Sequence, residues 1–364
     1  MATEFRRERF SYENRQPPAR KGGHNMFALD AARFQKMAVE LKLPSFRLAQ
    51  IRQWIYNRYI GDFYEMSNLS LALRETLAGK YRVTNSQVVA VRRGKGSVKL
   101  LIQYPDGAKI ETVIMSYRDW SSACLSTQVG CAMGCAFCAT GPMGLERNLT
   151  TEEMAEQLWH CCHYARVNSL QPVRNMVLMG IGEPLANFRN VVDLIRLVND
   201  PQLFGIGQRR ITLSTAGLIS QIQELARLNL AITLAVSLHA PNDKLRNQLM
   251  PISRKYPLQD IVVACRKYTE ETGRRVTYEY LLLAGVNDQD KHVAELAQLL
   301  KGENCLINLI PFNQVAGASF RPSSRSEEFQ RQLERAGLNA TIRRSIGQEI
   351  EAACGQLRKG LPEL

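Results

Sequence analysis

The spacing of apolar residues divides the chain into stretches with different predicted secondary structure. Over residues 27–41, 48–55 and 69–77, apolar side chains recur every three or four positions, as on one face of an α-helix. These stretches predict a small helical accessory domain over residues 26–82.

The next stretch, residues 83–118, has the pattern of β-structure. It contains three runs rich in β-branched and aliphatic residues, at 88–91, 98–102 and 110–114. Glycine-containing turns separate these runs. The pattern predicts a short β linker that follows the helical domain.

From about residue 119 the chain alternates between apolar strands and amphipathic helices. The strand candidates are 123–128, 175–180, 210–215, 231–238, 276–283, 306–311 and 340–344. The helix candidates are 151–167, 188–198, 218–228, 243–250, 258–271, 291–300 and 326–336. This alternation predicts an α/β fold with a partial (β/α)6-type barrel over residues 119–350, followed by a C-terminal segment, 351–364. A doubly wound open sheet is the alternative.

Charge and the ends of the chain indicate a partner and a compartment. The chain carries 47 Lys and Arg against 34 Asp and Glu, a net charge of +13, which favours a polyanion such as nucleic acid. Residues 1–25 are basic and polar and predict a disordered tail. No apolar run approaches the roughly 18 residues that span a bilayer, and we see no signal peptide. We therefore expect a cytoplasmic protein that does not enter a membrane.

Nine cysteines are present, an odd number that argues against a secreted disulfide framework. Three of them, Cys131, Cys135 and Cys138, lie within eight residues after a predicted strand. Thiolates are the ligands that iron–sulfur clusters and zinc prefer. Three ligands on a four-iron cluster leave one iron open. Zinc with a distant fourth ligand and a chance group of buried cysteines are the alternatives.

The spacing Cys-x3-Cys-x2-Cys, with Phe137 before the third cysteine, resembles the radical S-adenosylmethionine (SAM) superfamily. Further motifs, from about residue 27 to 357, resemble its RlmN/Cfr branch of RNA adenine methyltransferases. The motifs are Glu111-Thr-Val, Cys124-Leu-Ser-Thr-Gln-Val-Gly-Cys131, Gly182-Glu-Pro-Leu-Ala-Asn187, Leu213-Ser-Thr-Ala-Gly217, Ser237-Leu-His-Ala-Pro-Asn242, Ile307-Asn-Leu-Ile-Pro-Phe-Asn313 and Ala353-Cys-Gly-Gln-Leu357. The resemblance implies one [4Fe-4S] cluster held by three cysteines, with SAM on the open iron.

The same resemblance assigns a set of residues to SAM binding. A carboxylate suits the ammonium group of SAM, and serine and asparagine suit its hydroxyl and carboxylate oxygens. For the histidine taken alone, a satisfied core residue is the ordinary interpretation. The positions are Gly182, Glu183, Ser214, Ser237, Leu238, His239 and Asn313.

The resemblance also implies a covalent route that uses two SAM molecules per turnover. Cys354 takes a methyl group from the first SAM, and a radical derived from the second removes hydrogen from that methyl group. The resulting methylene radical adds to adenine. A base, Cys124 or Glu111, removes the ring proton, and Cys124 then releases the product through a transient disulfide with Cys354. The choice of base stays open, and the remaining four cysteines are expected in the core.

The implied substrate is adenosine 2503 of 23S ribosomal RNA, methylated at carbon 2, with adenosine 37 of transfer RNA as a further candidate. Methylation at carbon 8, as in the Cfr branch, is the alternative. Two hypotheses from other functional classes are a radical SAM enzyme that acts on a peptide or metabolite, and a non-catalytic iron–sulfur regulator that binds RNA. We expect a monomer and an electron donor such as flavodoxin. Basic residues near strand ends could line an RNA channel, among them Arg246 and Arg343.

Overall fold

The computed structural model describes residues 23–28, 31–315 and 319–357, so most of the predicted tail lies outside the described residues. Its α-helices are α1 Ala31–Glu40, α2 Ser45–Arg52, α3 Leu71–Lys80, α4 Thr151–Val167, α5 Phe188–Asn199, α6 Ile219–Arg227, α7 Asp243–Leu249, α8 Leu258–Thr272, α9 Asp290–Leu299 and α10 Ser326–Arg335. Each predicted barrel helix is present within one residue at either end. Among the described residues, no helix combines the length and apolarity needed to cross a membrane.

The β-strands of the described residues are β1 His24–Asn25, β2 Tyr81–Arg82, β3 Gln87–Gly94, β4 Ser97–Gln103, β5 Lys109–Ser116, β6 Ser121–Cys124, β7 Gln128–Gly130, β8 Leu145–Asn148, β9 Val173–Leu178, β10 Ile211–Thr215, β11 Thr233–Ser237, β12 Val276–Leu282, β13 Cys305–Pro311 and β14 Ala340–Ile342. Ten of these strands form one large sheet, in the order β14-β13-β12-β11-β10-β9-β6-β5-β4-β3. The pairs β1–β2 and β7–β8 form two small ribbons.

The strands from β6 through β9 to β14 are parallel and lie side by side in sequence order. Helices connect successive strands, so the sheet winds in one direction, as in a (β/α) barrel. A doubly wound sheet would instead reverse its strand order at one point. The predicted partial barrel is therefore confirmed, and the open doubly wound sheet is wrong.

The three strands of the predicted β linker extend the barrel sheet. Strands β3, β4 and β5 pair antiparallel with one another, and β5 pairs antiparallel with β6. Val113 on β5 lies opposite Cys124 at the end of β6. The linker therefore forms a wall that is continuous with the first barrel strand.

The predicted strand 123–128 is wrong in part, because the structure contains two strands there. Strand β6 ends at Cys124, and the chain then turns so that the amides of Thr127 and Gln128 both donate to the carbonyl of Ile181. Strand β7 next pairs with β8 rather than with the barrel. This turn directs the following cysteine loop over the end of the barrel.

Helix α4 joins the helical accessory domain to the barrel. Its N-terminus is closed by a capping box, in which Thr150 accepts from the Glu153 amide and the Glu153 carboxylate accepts from the Thr150 amide. Further along, Trp159 Nε1 donates to the carbonyl of Ile55 at 2.9 Å. Buried His163 donates from Nδ1 to the carbonyl of Tyr59 at 2.8 Å. These bonds fix the accessory domain against the barrel.

Candidate active site

One cavity lies over the ends of the barrel strands and encloses about 1060 Å³, including its open mouth. Nine residues that the sequence assigned to the site line this cavity. They are Cys131, Cys135, Cys138, Gly182, Glu183, Ser214, Ser237, His239 and Cys354. The structure thus brings together residues separated by more than 200 positions in the sequence.

The three clustered cysteines lie in the loop between β7 and β8, with their thiols partly buried. Burial raises the pKa of all three thiols, to about 11 for Cys131, and the neighbouring thiols Cys131 and Cys138 raise that of Cys135 further. The loop is tight, because a Cβ atom on Gly141 would lie 2.3 Å from the carbonyl oxygen of Cys135. The amide of Ala136 donates to the carbonyl of Leu249, which ties the loop to α7.

The donor set fits an iron–sulfur cluster. Within the described ranges, no three His, Cys, Asp or Glu side chains converge closely enough to hold a single metal ion. A cluster of four irons spreads its thiolate ligands over a larger volume than one zinc ion does. Three thiols that line one cavity match the thiolate ligands that an iron–sulfur cluster prefers.

The turn after β9 requires glycine at two positions. A Cβ atom on Gly180 would lie 2.6 Å from the carbonyl oxygen of Leu125, and Gly182 has a φ of +103°. The turn places Glu183 at the cavity, where its carboxylate accepts from the amides of Leu185 at 3.0 Å and Ala216 at 2.7 Å. Burial raises the pKa of Glu183, and these donors oppose that shift.

His239 has one defined tautomer. Its Nδ1 atom accepts a hydrogen bond from the amide of Leu281 at 3.0 Å, so the ring proton is on Nε2. Burial lowers the pKa of His239 to about 3, which keeps the ring neutral. The ring meets Phe137 of the cysteine loop edge to face, with 4.8 Å between centroids. His239 therefore offers an N–H donor in the cavity.

Arg246 is buried, so its predicted place in an RNA channel is wrong. Its guanidinium donates to the carbonyls of Ala216 at 2.7 Å, Ser237 at 2.9 Å and Leu238 at 3.1 Å. The Ala216 carbonyl directly follows β10, and the carbonyls of Ser237 and Leu238 lie at the end of β11. Polar residues at these two strand ends line the cavity. Leu238 itself is fully buried and contributes through its backbone. Arg246 holds the two strand ends together.

Cys354 lies in the C-terminal segment, defined as residues 347–357. The carbonyl of Gly355 accepts from the amide of Ala139 at 2.7 Å, and the carbonyl of Leu357 accepts from Thr140 Oγ1 at 2.7 Å. The side chain of Asn313 donates to the carbonyl of Cys354 at 3.2 Å. Asn313, which the sequence assigned to SAM, therefore contacts the C-terminal segment here.

Cys124, Arg343 and Glu279 surround the position of Cys354. The pKa of Arg343 is raised above its usual range, and the largest cause is electrostatic interaction with the side chain of Cys354, followed among the favourable causes by Glu279 and Cys124. Burial raises the pKa of the Cys124 thiol to about 12, and Arg343 opposes this rise. The two cysteines and the guanidinium are therefore close enough to influence one another's ionisation.

Glu111 lies on β5, nearly fully buried, and pairs with Lys99 Nζ at 2.9 Å. Val113, two residues along the same strand, lies opposite Cys124, so Glu111 and Cys124 project from the same face of the sheet. The carboxylate is thus on the Cys124 side of the wall, although it does not line the cavity.

The sequence interpretation did not assign two charged residues of the cavity, Glu279 and Arg343, to the site. Glu279 is buried on β12 and accepts from Asn308 Nδ2 at 2.9 Å, and burial raises its pKa. A carboxylate within an apolar strand was the signal that could have identified it. Arg343 was expected in an RNA channel, but it lines the cavity beside Cys354. Its position directly after β14 was the available signal.

Comparisons with known proteins agree with this geometry. A model of the radical SAM superfamily matches residues 125–297, and a model of the ribosomal RNA large subunit methyltransferase N-terminal domain matches residues 24–83. The "Probable dual-specificity RNA methyltransferase RlmN" of Alkaliphilus oremlandii is 43% identical over 92% of this chain and 97% of its own length. The corresponding protein of Staphylococcus aureus strain JH9 is 42% identical over 92% of each chain.

A crystal structure of a radical SAM methyltransferase from Sphaerobacter thermophilus is 43% identical, with a TM-score of 0.87. It covers 92% of this chain and 99% of its own. These matches favour an enzyme over the regulator and over a radical SAM enzyme for peptides or metabolites. The chain therefore belongs to the RlmN family of radical SAM RNA methyltransferases.

Proposed function

We propose that this enzyme methylates carbon 2 of adenosine in RNA, at position 2503 of 23S ribosomal RNA and at position 37 of transfer RNAs. The observation that supports this most is the grouping of Cys354, Cys124 and Arg343 beside the cavity that the three clustered cysteines line. A methyl carrier, a resolving thiol and a cluster loop are needed together only for a covalent radical route.

Cys131, Cys135 and Cys138 would hold the cluster. When bound, a [4Fe-4S] cluster supplies the electron that cleaves SAM to a 5′-deoxyadenosyl radical. Glu183 and His239 would orient SAM, the first as a carboxylate for its ammonium group and the second as an N–H donor for an acceptor atom. Ser214 and Ser237 would supply hydroxyl groups, with Gly182, Leu238 and Asn313 shaping the pocket.

Cys354 carries the methyl group in this scheme. Its thiolate would attack the methyl carbon of one SAM. A bond forms between the Cys354 sulfur and the methyl carbon, the bond from that carbon to the SAM sulfur breaks, and S-adenosylhomocysteine leaves. The carried methyl group would then lose a hydrogen atom to the radical from a second SAM, and the resulting methylene radical would bond to carbon 2 of adenine. The adduct radical would lose the ring proton to the base and return one electron to the redox partner that supplies electrons. Two SAM molecules are therefore consumed in each turnover.

The structure favours Glu111 over Cys124 as the base that removes the ring proton. With its pKa raised to about 12, Cys124 is a protonated thiol at neutral pH and cannot accept a proton. Glu111 is paired with an ammonium group, which stabilises the carboxylate form that can accept one. We therefore assign proton removal to Glu111.

Cys124 would resolve the covalent adduct. Cys124 would first give up its thiol proton, a step that the nearby Arg343 guanidinium eases because it opposes the rise that burial causes in the Cys124 pKa, and the thiolate would then attack the sulfur of Cys354. A disulfide forms, the bond between the Cys354 sulfur and the methylene carbon breaks, and that carbon keeps the electron pair and takes a proton. The product is a methyl group on adenine.

RNA would reach the site over a basic surface, which the net charge of +13 supports. The accessory domain, proposed here as residues 26–82, exposes Phe46 with the Arg47 guanidinium 5.0 Å from its ring. Such aromatic and cationic pairs suit stacking and phosphate contacts. We propose that this domain binds RNA, that the enzyme is monomeric, and that a flavodoxin-type protein supplies electrons in the cytoplasm.

The test is nucleoside mass spectrometry of ribosomal and transfer RNA from cells with and without the gene. We expect 2-methyladenosine in both RNA classes only when the gene is present. Detection of 8-methyladenosine instead would assign carbon 8, and unchanged RNA would contradict the proposal. A strain that carries the Cys354→Ala variant is the matched control and should resemble the deletion.

A further inference from the structure

The C-terminal segment rests on the hairpin formed by β3 and β4. The amide of Lys95, at the hairpin turn, donates to Glu349 Oε1 at 2.6 Å. Arg92 Nη1 lies 3.4 Å from Glu351 Oε2. Lys99 Nζ donates to the backbone carbonyl of Glu351 at 2.9 Å. The hairpin thus contacts the segment that carries Cys354 at three successive points.

Lys99 makes contacts on two sides at once. The same ammonium group that binds the Glu351 carbonyl lies 2.9 Å from the carboxylate of Glu111. Both side chains of this ion pair are almost completely buried. One cation therefore connects the candidate base to the backbone three residues before Cys354.

The strand register explains why this connection reaches the reaction centre. Lys99 lies opposite Val113, and Val113 lies opposite Cys124. Residues that pair directly across strands point to the same face of a sheet. Lys99, Glu111 and Cys124 consequently share the face that the C-terminal segment covers.

The conformation of Glu351 shows that the segment is held at this point. Its φ is +52°, in the left-handed region that residues with a Cβ atom rarely adopt. Such a conformation persists only where surrounding contacts enforce it. The bond from Lys99 to its carbonyl and the ion pair with Arg92 supply those contacts.

We infer that Lys99 is a positioning residue, which couples the charge of Glu111 to the placement of the segment that carries Cys354. The inference rests on the proposed function, in which Glu111 takes the ring proton. That proton passes from the ring carbon to a carboxylate oxygen of Glu111, and Lys99 loses its anionic partner. Because Glu111 then no longer holds the ammonium group in place, Lys99 can shift together with the Glu351 carbonyl, and the segment can move so that Cys354 meets Cys124.

The groups around Glu111 define how the pair responds to pH. Lys99 on β4, Arg92 on β3, Glu351 of the C-terminal segment and the Cys124 thiol on β6 share its face of the sheet. On the other face, Cys161 of α4 contacts Thr112. Removal of the Lys99 charge should therefore favour the protonated form of Glu111.

The test compares Lys99→Met and Lys99→Arg with Lys109→Met, a matched control on β5. The assays are RNA methylation between pH 6 and 9, S-methylation of Cys354 without RNA, and hydrogen exchange of residues 347–357. For Lys99→Met we expect RNA methylation to fall at least about tenfold at pH 7, with recovery at higher pH. Exchange in the segment should increase, and Lys99→Arg should retain most activity.

If Lys99→Met keeps the wild-type pH profile and segment protection, the inference is wrong. It is also wrong if activity falls with an unchanged pH profile, because that outcome indicates a structural role alone. Should Lys99→Met fail to fold, the Lys99→Met/Glu111→Gln pair removes both charges, and its segment must still exchange faster than in Glu111→Gln. Wild-type enzyme that methylates no adenine carbon 2 would contradict the proposed function instead.

Discussion

The carbonyl of Gly355 accepts a 2.7 Å hydrogen bond from the backbone amide of Ala139, which directly follows the third clustered cysteine. The segment with Cys354 and the loop with Cys138 are thus joined backbone to backbone. The proposed function requires such closeness, because reacting atoms have to lie within van der Waals reach.

Replacement of Cys354 by alanine should abolish RNA methylation but leave reductive cleavage of SAM intact. Alanine lacks the sulfur that accepts the methyl group, whereas the cluster cysteines are unchanged. Methylated nucleosides and 5′-deoxyadenosine, measured on the same sample, check this. The Cys305→Ala variant, at a buried cysteine of β13, is the control and should keep both activities. Full methylation by Cys354→Ala would refute a covalent carrier.

The Cys124→Ala variant should accumulate an enzyme–RNA adduct. Without the Cys124 sulfur, nothing attacks Cys354 to break its bond to the RNA carbon. Denaturing gels and mass spectrometry of digested protein would detect the adduct, and the Cys354→Ala/Cys124→Ala double variant should form none. Continued turnover of Cys124→Ala without an adduct would exclude a resolving role.

Replacement of Arg246 by methionine should destabilise the barrel and weaken SAM binding. The change leaves the carbonyls of Ala216, Ser237 and Leu238 without their buried donor, at a cost of about 1–3 kcal/mol for each. Denaturant unfolding and SAM titration measure the two effects. The Arg266→Met variant removes a half-exposed guanidinium that pairs with Glu303, and it should change the free energy of unfolding far less. Equal stability of the two variants would contradict this account.

Stability should fall as pH decreases from about 6.5 towards about 3. Burial lowers the pKa of His160 and His239 to about 3 in the folded state, whereas the unfolded chain has the ordinary value of 6.5. Between these values the unfolded state binds more protons, so each histidine removes about 1.4 kcal/mol of stability per pH unit. Urea unfolding at pH 7 and 5 tests the slope.

The His160→Gln variant should show a smaller loss of stability between pH 7 and 5 than the wild type. The His24→Gln variant changes an exposed ring and serves as the control. An identical slope in all three proteins would exclude His160 as a source of acid sensitivity.

The sequence predicted the helices of the barrel within one residue, because their apolar periodicity and capping residues act locally. Helix α4 has its predicted bounds, set at the start by Thr150 and Glu153. The three clustered cysteines could also be recognised from the sequence, because a cluster motif is defined by the local spacing of its cysteines. The motifs shared with a known family identified the site residues that lie far apart in the sequence.

Features that depend on tertiary contacts were not accessible in the same way. The burial of Arg246 arises because three carbonyls from the ends of two strands converge on it. Strand β6 ends early because the amide of Ser126 donates to the side chain of Gln157, and the amides of Thr127 and Gln128 donate to the carbonyl of Ile181, more than fifty residues away. The role of Lys99 depends on the register of three strands. These contacts join residues far apart in the sequence and produce no periodic pattern from which they could be predicted.

The bonds between helix α4 and the accessory domain also determine how the protein loses its structure. Trp159 and His163 are buried, and each donates a hydrogen bond to a backbone carbonyl of the accessory domain, at Ile55 and Tyr59 respectively. Detachment of the accessory domain would leave both donors unpaired in an apolar surface, which disfavours an intermediate in which the domain has come away. The accessory domain should therefore unfold together with the barrel rather than ahead of it.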